Sequence, residues 1–382
     1  MKGTVFLVRN IEPSMYGGGE TYQLKLARLL SKNGFEPFIL SSSHELLKEA
    51  KKNGFKVIKA PYINRQVWSG WRNILFPVYY IKIMRLRGWY KKVFTKYKPS
   101  VVNIQSRDDW IAATVTAKKM RMKVVWTDHM DLRSWVLENV NVWYKNWIGK
   151  WLLKIAKKTD RIIMISDFEK KCFDNLVGRR TFKNIVVIKN GVEDELKSYK
   201  NTNIKNDSFC YVGRIVDYKG ISELIAAFIK IVEKYPKAKL NIYGGGDVKK
   251  YKNMCKGYCN IKFYGKTETP LKVLAENEIF VLPSYREGLS LSLLDAAMMK
   301  KKIIASDVDG NPEVVVNGET GLLVPVKNID KLSEAMVWML NNKNKAERMA
   351  QNARVRYENQ FDFKKIFEEK MLPLYNKKEE EK

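Results

Sequence analysis

Residues 279–324 read IFVLPSYREGLSLSLLDAAMMKKKIIASDVDGNPEVVVNGETGLLV, and this stretch decides the fold. Residues 279–282 are a short apolar run, the pattern of a strand buried on both faces. Pro283 and Ser284 end it. Glu287-Gly288 then leads into 289–300, where Leu291, Leu294, Ala297 and Met298 recur at helical spacing. Lysines 300, 301 and 302 load the C-terminal end of that helix with positive charge, as its dipole favours. Residues 303–305 predict the next strand, and Gly310 and Pro312 break the loop behind it. A strand running through Glu-Gly into a helix leaves the backbone N–H groups of about Leu289, Ser290 and Leu291 without helical partners. Such groups seat an anion, for example phosphate. Glu287 stands on the loop before the seat. Asp295, two turns into the helix, can reach along the same cleft toward a ribose diol.

Glu287 and the carboxylate eight residues on, between a "PS" strand end and a helix, resemble the Glu-x7-Glu signature of retaining sugar-nucleotide glycosyltransferases of family four, which have the GT-B fold. The resemblance implies that Glu287, with Gly288 beside it, contacts the donor sugar and that Asp295 contacts the ribose. Asp295 is one methylene shorter than the Glu of the family. Lys300 and Lys302 stand where the family usually has Gly and Pro, which should alter the turn more than the site.

At 382 residues the chain accommodates two α/β domains, each with its own core. Hydrophobic content of 45% with 12% aromatics marks a globular protein. The four cysteines, Cys172, Cys210, Cys255 and Cys259, are too few and too isolated from histidine for a disulfide framework or a zinc site, and read as free thiols in a reducing cytoplasm. The N-terminus reads as a strand and not as a signal peptide. No uncharged run approaches the ~18–20 residues of a membrane span.

The net charge of +29 is unevenly placed. Residues 1–190 carry 37 Lys/Arg against 14 Asp/Glu, and the remainder carries 33 against 27. Between Glu49 and Asp108 there are 14 basic residues and no acidic one. Such a field calls for an anionic partner. Residues 62–98 set Trp68, Trp71, Phe76, Tyr79, Tyr80, Trp89 and Tyr90 among those bases. The pattern predicts that the basic segment 51–98 meets an anionic membrane surface with its aromatics at the interface. Core helices with solvated basic faces are the competing reading. No nucleic-acid-binding signature accompanies the segment.

Taken in order, residues 4–8 predict a strand, followed by Gly17-Gly18-Gly19-Glu20 in a loop and then a helix. "GG-x-E" at this place resembles the N-terminal loop of the family, with Gly18 as the glycine that approaches the donor. Strands are predicted at 37–40, 56–59, 101–104 and 124–127. The last runs into Asp128-His129-Met130-Asp131, and a His at the C-terminal end of a parallel strand faces the ligand crevice. His129 matches the family's "T-x-H", which implies a place near sugar and acceptor. Further strands are predicted at 162–165 and 185–188, the second leading to Asn190-Gly191-Val192-Glu193, which resembles the family's "NGVD" crossover between domains.

The second domain opens with a strand at 209–212 and then GRIVDYKG, with Gly213-Arg214 and Lys219-Gly220 at the spacing of the family's "GR…KG". Both cations can converge on a diphosphate. Strands follow at 240–243 and 261–264, each with glycines behind it. By the resemblance, Gly265-Lys266 lies near the nucleobase. Asp307-Val308-Asp309 mimics a metal-binding Asp-x-Asp, but reads as a coincidence within a loop. The alternation predicts two Rossmann-like, doubly wound parallel sheets facing a central cleft. The acceptor-binding domain is expected at 1–193, with a C-terminal helix at 361–376 packing back on it, and the nucleotide-sugar domain at 194–360.

The reaction implied is transfer of a sugar from a nucleotide-diphosphate sugar to a glycan or lipid-linked acceptor, with retention. It requires neither metal nor cofactor, and the setting is the cytoplasmic, inner face of the plasma membrane. Arg214, Lys219, Glu287 and His129 carry the chemistry. Gly18, Gly213, Gly265, Lys266, Gly288, Leu289, Ser290, Leu291 and Asp295 bind the donor. Two alternatives remain: a GT-B phosphorylase or synthase acting on a soluble sugar or sugar phosphate, and a non-catalytic binder of sugar nucleotides or polyanions.

Overall fold

The structure, a computed structural model, describes residues 2–11, 17–62, 76–129, 147–177, 182–200 and 202–376. The chain forms two compact units, one of Met1–Ile188 with Phe367–Lys382 and one of Lys189–Ile366. Among the described residues no helix is long and apolar enough to cross a membrane.

In the first unit the strands are β1 (Gly3–Val8), β2 (Phe35–Ser41), β3 (Lys56–Lys59), β4 (Val101–Ile104), β5 (Lys123–Asp128), β6 (Arg161–Met164) and β7 (Ile185–Val187). They pair in parallel in the order β3-β2-β1-β4-β5-β6-β7. Helices between successive strands cover the faces, so the inner strands read as unbroken apolar runs. Val5, Phe6, Leu7 and Val8 are all fully buried. Helix Phe76–Tyr97 presents Tyr79, Ile83, Leu86, Tyr90 and Phe94 to the core at steps of three and four residues. The indoles of Trp110 and Trp126 stack at 5.0 Å, and each ring N–H is satisfied, by the Ile104 carbonyl and the Thr114 hydroxyl.

In the second unit β8 (Lys205–Val212), β9 (Lys239–Tyr243), β10 (Ile261–Gly265), β11 (Asn277–Leu282), β12 (Lys302–Ser306) and β13 (Leu322–Val324) form a parallel sheet in the order β10-β9-β8-β11-β12-β13. Each sheet reverses its winding once, between β1 and β4 in the first unit and between β8 and β11 in the second. At such a switch point the loops leaving adjacent strands diverge and open a crevice at the carboxyl ends.

Several details differ from the sequence expectation. The second unit begins at Lys189, because Val192 exchanges backbone hydrogen bonds with Phe361 and Phe363, holding the crossover segment to this unit. The chain returns to the first unit at Phe367, not at 361. The single terminal helix is broken into Phe363–Ile366, a π-helical turn Phe367–Met371 and Leu372–Tyr375. Within the first unit, Tyr375 accepts a hydrogen bond from Asn103 at 2.5 Å. The lysines of 300–302 lie just beyond the helix, which ends at Met298, and each has a partner of its own. Lys300 adopts φ 55° and pairs with Glu347, while Lys301 is buried with its ammonium on the carbonyls of Ala275 and Asn277. Lys302 opens β12 and pairs with Glu278.

Candidate active site

Three loops converge at the switch point of the second unit. After β8 the chain passes Gly213-Arg214 and makes a 3-10 turn, Asp217–Lys219, ending at Gly220 with φ +70°. A Cβ on Gly220 would lie 2.1 Å from the carbonyl oxygen of Pro283, so this loop is pressed directly on the end of β11. The N–H of Tyr285 donates to the carbonyl of Tyr218 at 2.8 Å, locking the two loops together. Lys219 Nζ consequently lies 2.5 Å from Glu287 Oε1, with the two side chains only 14% and 9% exposed. The third loop follows β12. Asp309, at φ 55°, accepts the N–H of Glu287 at 2.8 Å. A Cβ on Gly310 would lie 1.7 Å from the Gly288 carbonyl oxygen. Glu287 is thus held from both sides.

Cations gather around Tyr218. Arg214 Nη2 donates to the Tyr218 hydroxyl at 2.5 Å, and its guanidinium carbon is 5.9 Å from the ring centre. Lys219 Nζ is 5.6 Å and the Arg286 guanidinium carbon 5.5 Å from the same ring. Tyr211, buried, donates to the Arg214 carbonyl at 2.7 Å. Burial, with Glu287 nearby, pushes its phenol well above the usual range.

The helix behind Glu287 is shorter than its periodicity suggests, Leu291–Met298 with Ser290 as N-cap. The N–H groups of its first turn are those of Leu291, Ser292 and Leu293, two residues later than expected. Gly288 and Leu289 are instead buried beneath the β12 loop, with the Leu289 carbonyl accepting from Asn190 Nδ2. Asp295 is half-buried on the second turn. Its charge helps push the buried Tyr357 phenol upward.

Gly265, at φ +75°, accepts the N–H of Gly244 at 2.8 Å, and a Cβ on Gly244 would lie 1.7 Å from the Gly213 carbonyl oxygen. This chain of contacts brings Gly265 and the exposed Lys266 one loop away from Arg214. The structure therefore assembles Arg214, Lys219, Glu287, Gly213 and Gly288, with Gly265-Lys266 at the margin.

In the first unit His129 follows β5 directly. Its Nε2 is 3.2 Å from Gln105 Oε1, and its ring meets Tyr22 edge-on at 4.8 Å. Burial and the Arg9 guanidinium hold the imidazole well below the usual histidine range, so it is neutral at pH 7. Arg9 pairs with the buried Glu20, and Gly18 begins helix Gly18–Lys32, so Gly18 and Gly19 lie in the first helical turn with Gly17 as its N-cap. Met130, Asp131, Trp68 and Trp71 lie outside the described residues. The sequence reading names none of Arg9, Gln105, Tyr218 and Arg286 as site residues, and it takes Asp309 only as part of a chance Asp-x-Asp. Tyr218 and Arg286 sit inside the two motifs that were read, and that adjacency was the available signal. The role of Asp309 as acceptor for the Glu287 N–H depends on the pairing of β11 with β12, which local sequence does not show.

Two Rossmann-like parallel-sheet units place the chain in the GT-B class of α/β proteins. The family model for glycosyl transferases group 1 matches residues 192–356, and that for glycosyltransferase family 4 matches 16–196. Between them the two models, both of glycosyltransferases, run along most of the chain. The capsular polysaccharide biosynthesis glycosyltransferase CapM of Staphylococcus aureus is 28% identical, covering 74% of this chain and 78% of its own. The N,N'-diacetylbacillosaminyl-diphospho-undecaprenol alpha-1,3-N-acetylgalactosaminyltransferase of Campylobacter jejuni is 30% identical over 49% of this chain and 50% of its own. Among solved structures, HepE of Anabaena in complex with UDP superposes with a TM-score of 0.76 at 15% identity, covering 96% of this chain and 97% of that one.

Proposed function

We propose that the chain transfers a sugar from a nucleotide-diphosphate sugar to a hydroxyl of a lipid-linked or glycan acceptor, with retention and without a divalent ion, during assembly of a cell-surface polysaccharide or glycolipid. The observation that carries this reading is the buried Lys219–Glu287 pair at the switch point, with Arg214 beside it. The acceptor oxygen attacks the anomeric carbon as the bond from that carbon to the diphosphate breaks. The acceptor proton passes to a phosphate oxygen, and the nucleoside diphosphate leaves. Arg214, Lys219 and the N–H groups of Leu291, Ser292 and Leu293 meet the negative charge that develops on the leaving group. Glu287, preset by Lys219 and by Asp309, holds hydroxyls of the donor sugar. A neutral His129 orients a sugar or acceptor hydroxyl as hydrogen-bond partner without adding charge.

The names of the relatives support a glycan or lipid-linked acceptor, and UDP in the HepE complex supports a nucleoside diphosphate as donor fragment. The reading also places the protein peripherally at an anionic cytoplasmic membrane face through its basic first unit. Transfer assays with a panel of sugar nucleotides and polyprenyl-diphosphate sugars, with and without chelator, test it. Retention appears as the anomeric configuration of the product by NMR. An inverted product, or activity abolished by chelator and restored by a divalent ion, would remove the mechanism. Full activity on free sugars with none on lipid-linked acceptors would remove the acceptor class.

A further inference from the structure

Arg214 is exposed, and a long exposed side chain loses rotamer freedom when a ligand fixes it. Tyr218 reduces that loss. Its backbone is anchored on both sides: its carbonyl accepts the Tyr285 N–H, and the neighbouring Asp217 takes hydrogen bonds from Tyr251, at 2.7 Å, and from Lys250. Its ring then stands at a fixed place, with Lys219, Arg214 and Arg286 all within 6 Å of its centre. Arg214 also bonds the hydroxyl. Tyr218 is itself half-buried, so the phenol does more for its neighbours than for the packing of the core.

We propose that Tyr218 is a positioning residue of the donor site, its hydroxyl and ring holding Arg214 ready for the diphosphate. The ring brings Arg286 to the same place as a third cation. This rests on the donor-site reading above. The cations repel one another, and the negative face of the ring together with the phenol oxygen offsets that repulsion before ligand arrives. An arginine already aimed needs no reorganisation when the diphosphate binds or departs.

The test measures binding of UDP, GDP and ADP, and of the matching monophosphates, by titration calorimetry on the full chain. Tyr218→Phe keeps the ring and loses the hydroxyl. It is expected to weaken the preferred diphosphate about tenfold, as for a hydrogen bond to a charged group, while monophosphate affinity and the melting temperature stay within about twofold and a degree of wild type. Tyr218→Leu, which also removes the ring, is expected to cost about a hundredfold. In an Arg214→Gln background the Tyr218→Phe effect should vanish, because the bond it removes is already gone. Wild-type diphosphate affinity in Tyr218→Phe, or an undiminished effect in the Arg214→Gln background, overturns the proposal. If Arg214→Gln weakens diphosphate binding and Tyr218→Phe does not, the donor site stands and only the positioning role falls. If the wild-type chain binds none of the three diphosphates, the donor-site reading itself falls and this inference with it.

Discussion

The Lys219–Glu287 pair sets two opposite charges where little water reaches either. In that setting each charge is tolerable because of the other, so removing one partner leaves a desolvated charge uncompensated. Lys219→Met is therefore expected to destabilise the second unit by roughly 3 kcal/mol in urea unfolding, besides abolishing transfer. Lys219→Met combined with Glu287→Leu should recover most of that stability and none of the activity. If the single substitution is as stable as wild type, the pair is not buried as described. His129 gives a second prediction. Its folded-state pKa lies below the ordinary 6.5, so as pH falls through 6.5 the unfolded chain takes up a proton that the folded chain refuses. Its contribution to stability is constant above 6.5 and is lost progressively below it, toward the lower folded value. The difference in melting temperature between wild type and His129→Gln should therefore narrow or reverse from pH 7.5 to pH 5.5. Replacing Arg9 with Met should reduce that pH dependence, since it removes a charge that opposes protonation. A difference that does not change with pH would place His129 in water.

Among the elements, the loops at the carboxyl ends of β8, β9, β11 and β12 lean on one another through backbone atoms. Gly244 packs on Gly213, Gly220 on Pro283 and Gly310 on Gly288. Alanine at Gly310 has no room unless the Gly288 carbonyl moves, and that carbonyl adjoins Glu287. Gly310→Ala is expected to lower turnover at least tenfold with a smaller loss of stability, measured by initial rates and urea unfolding. Unchanged rates would show that the loop yields without disturbing Glu287. The opposite case is Gly88, inside helix Phe76–Tyr97 with nothing within 4 Å of a built Cβ. Gly88→Ala should stabilise the first unit by about 0.5–1 kcal/mol, the helical preference of alanine over glycine. These two sites also show what the sequence could and could not reveal. Strands such as 279–282 and 101–104 were legible because burial on both faces demands an uninterrupted apolar run. β13 was missed because three residues, Leu322–Val324, are too few to show a period. Arg214, Lys219 and Glu287 were legible as motif members. Their partners Tyr218 and Asp309 were not, since a loop finds its neighbour through sheet order, which local pattern does not encode.

On the scale of the whole molecule, the charge asymmetry is the property with the longest reach. Residues 1–190 carry 37 basic against 14 acidic side chains. Helix Phe76–Tyr97 divides the aromatic residues that the sequence left ambiguous. Tyr79 and Tyr90 are buried in the core, Tyr90 donating to Asp109 at 2.5 Å, whereas Tyr80 is 46% exposed beside Val78 at 45% and Ile81 at 52%. The Tyr80 ring lies 5.7 Å from that of Trp151, which shares its helix with the exposed Lys150 and Lys154. Apolar side chains at a helix surface, with Arg85, Lys91 and Lys92 further along, fit a headgroup layer better than bulk water. Electrostatic attraction alone would be screened within about a Debye length, ~10 Å at 0.1 M salt, whereas inserted side chains hold on when salt rises. The protein is accordingly expected to co-sediment with vesicles containing phosphatidylglycerol and not with pure phosphatidylcholine. Binding should fall steeply between 50 and 500 mM salt, with both concentrations chosen to bracket roughly that screening length. Replacing Tyr80 and Ile81 together with Ser should weaken binding at every salt concentration. Replacing Lys91 and Lys92 with Gln should weaken it only at low salt. If neither pair matters, or if phosphatidylcholine binds equally well, the excess of basic residues in the first unit answers to some other anion.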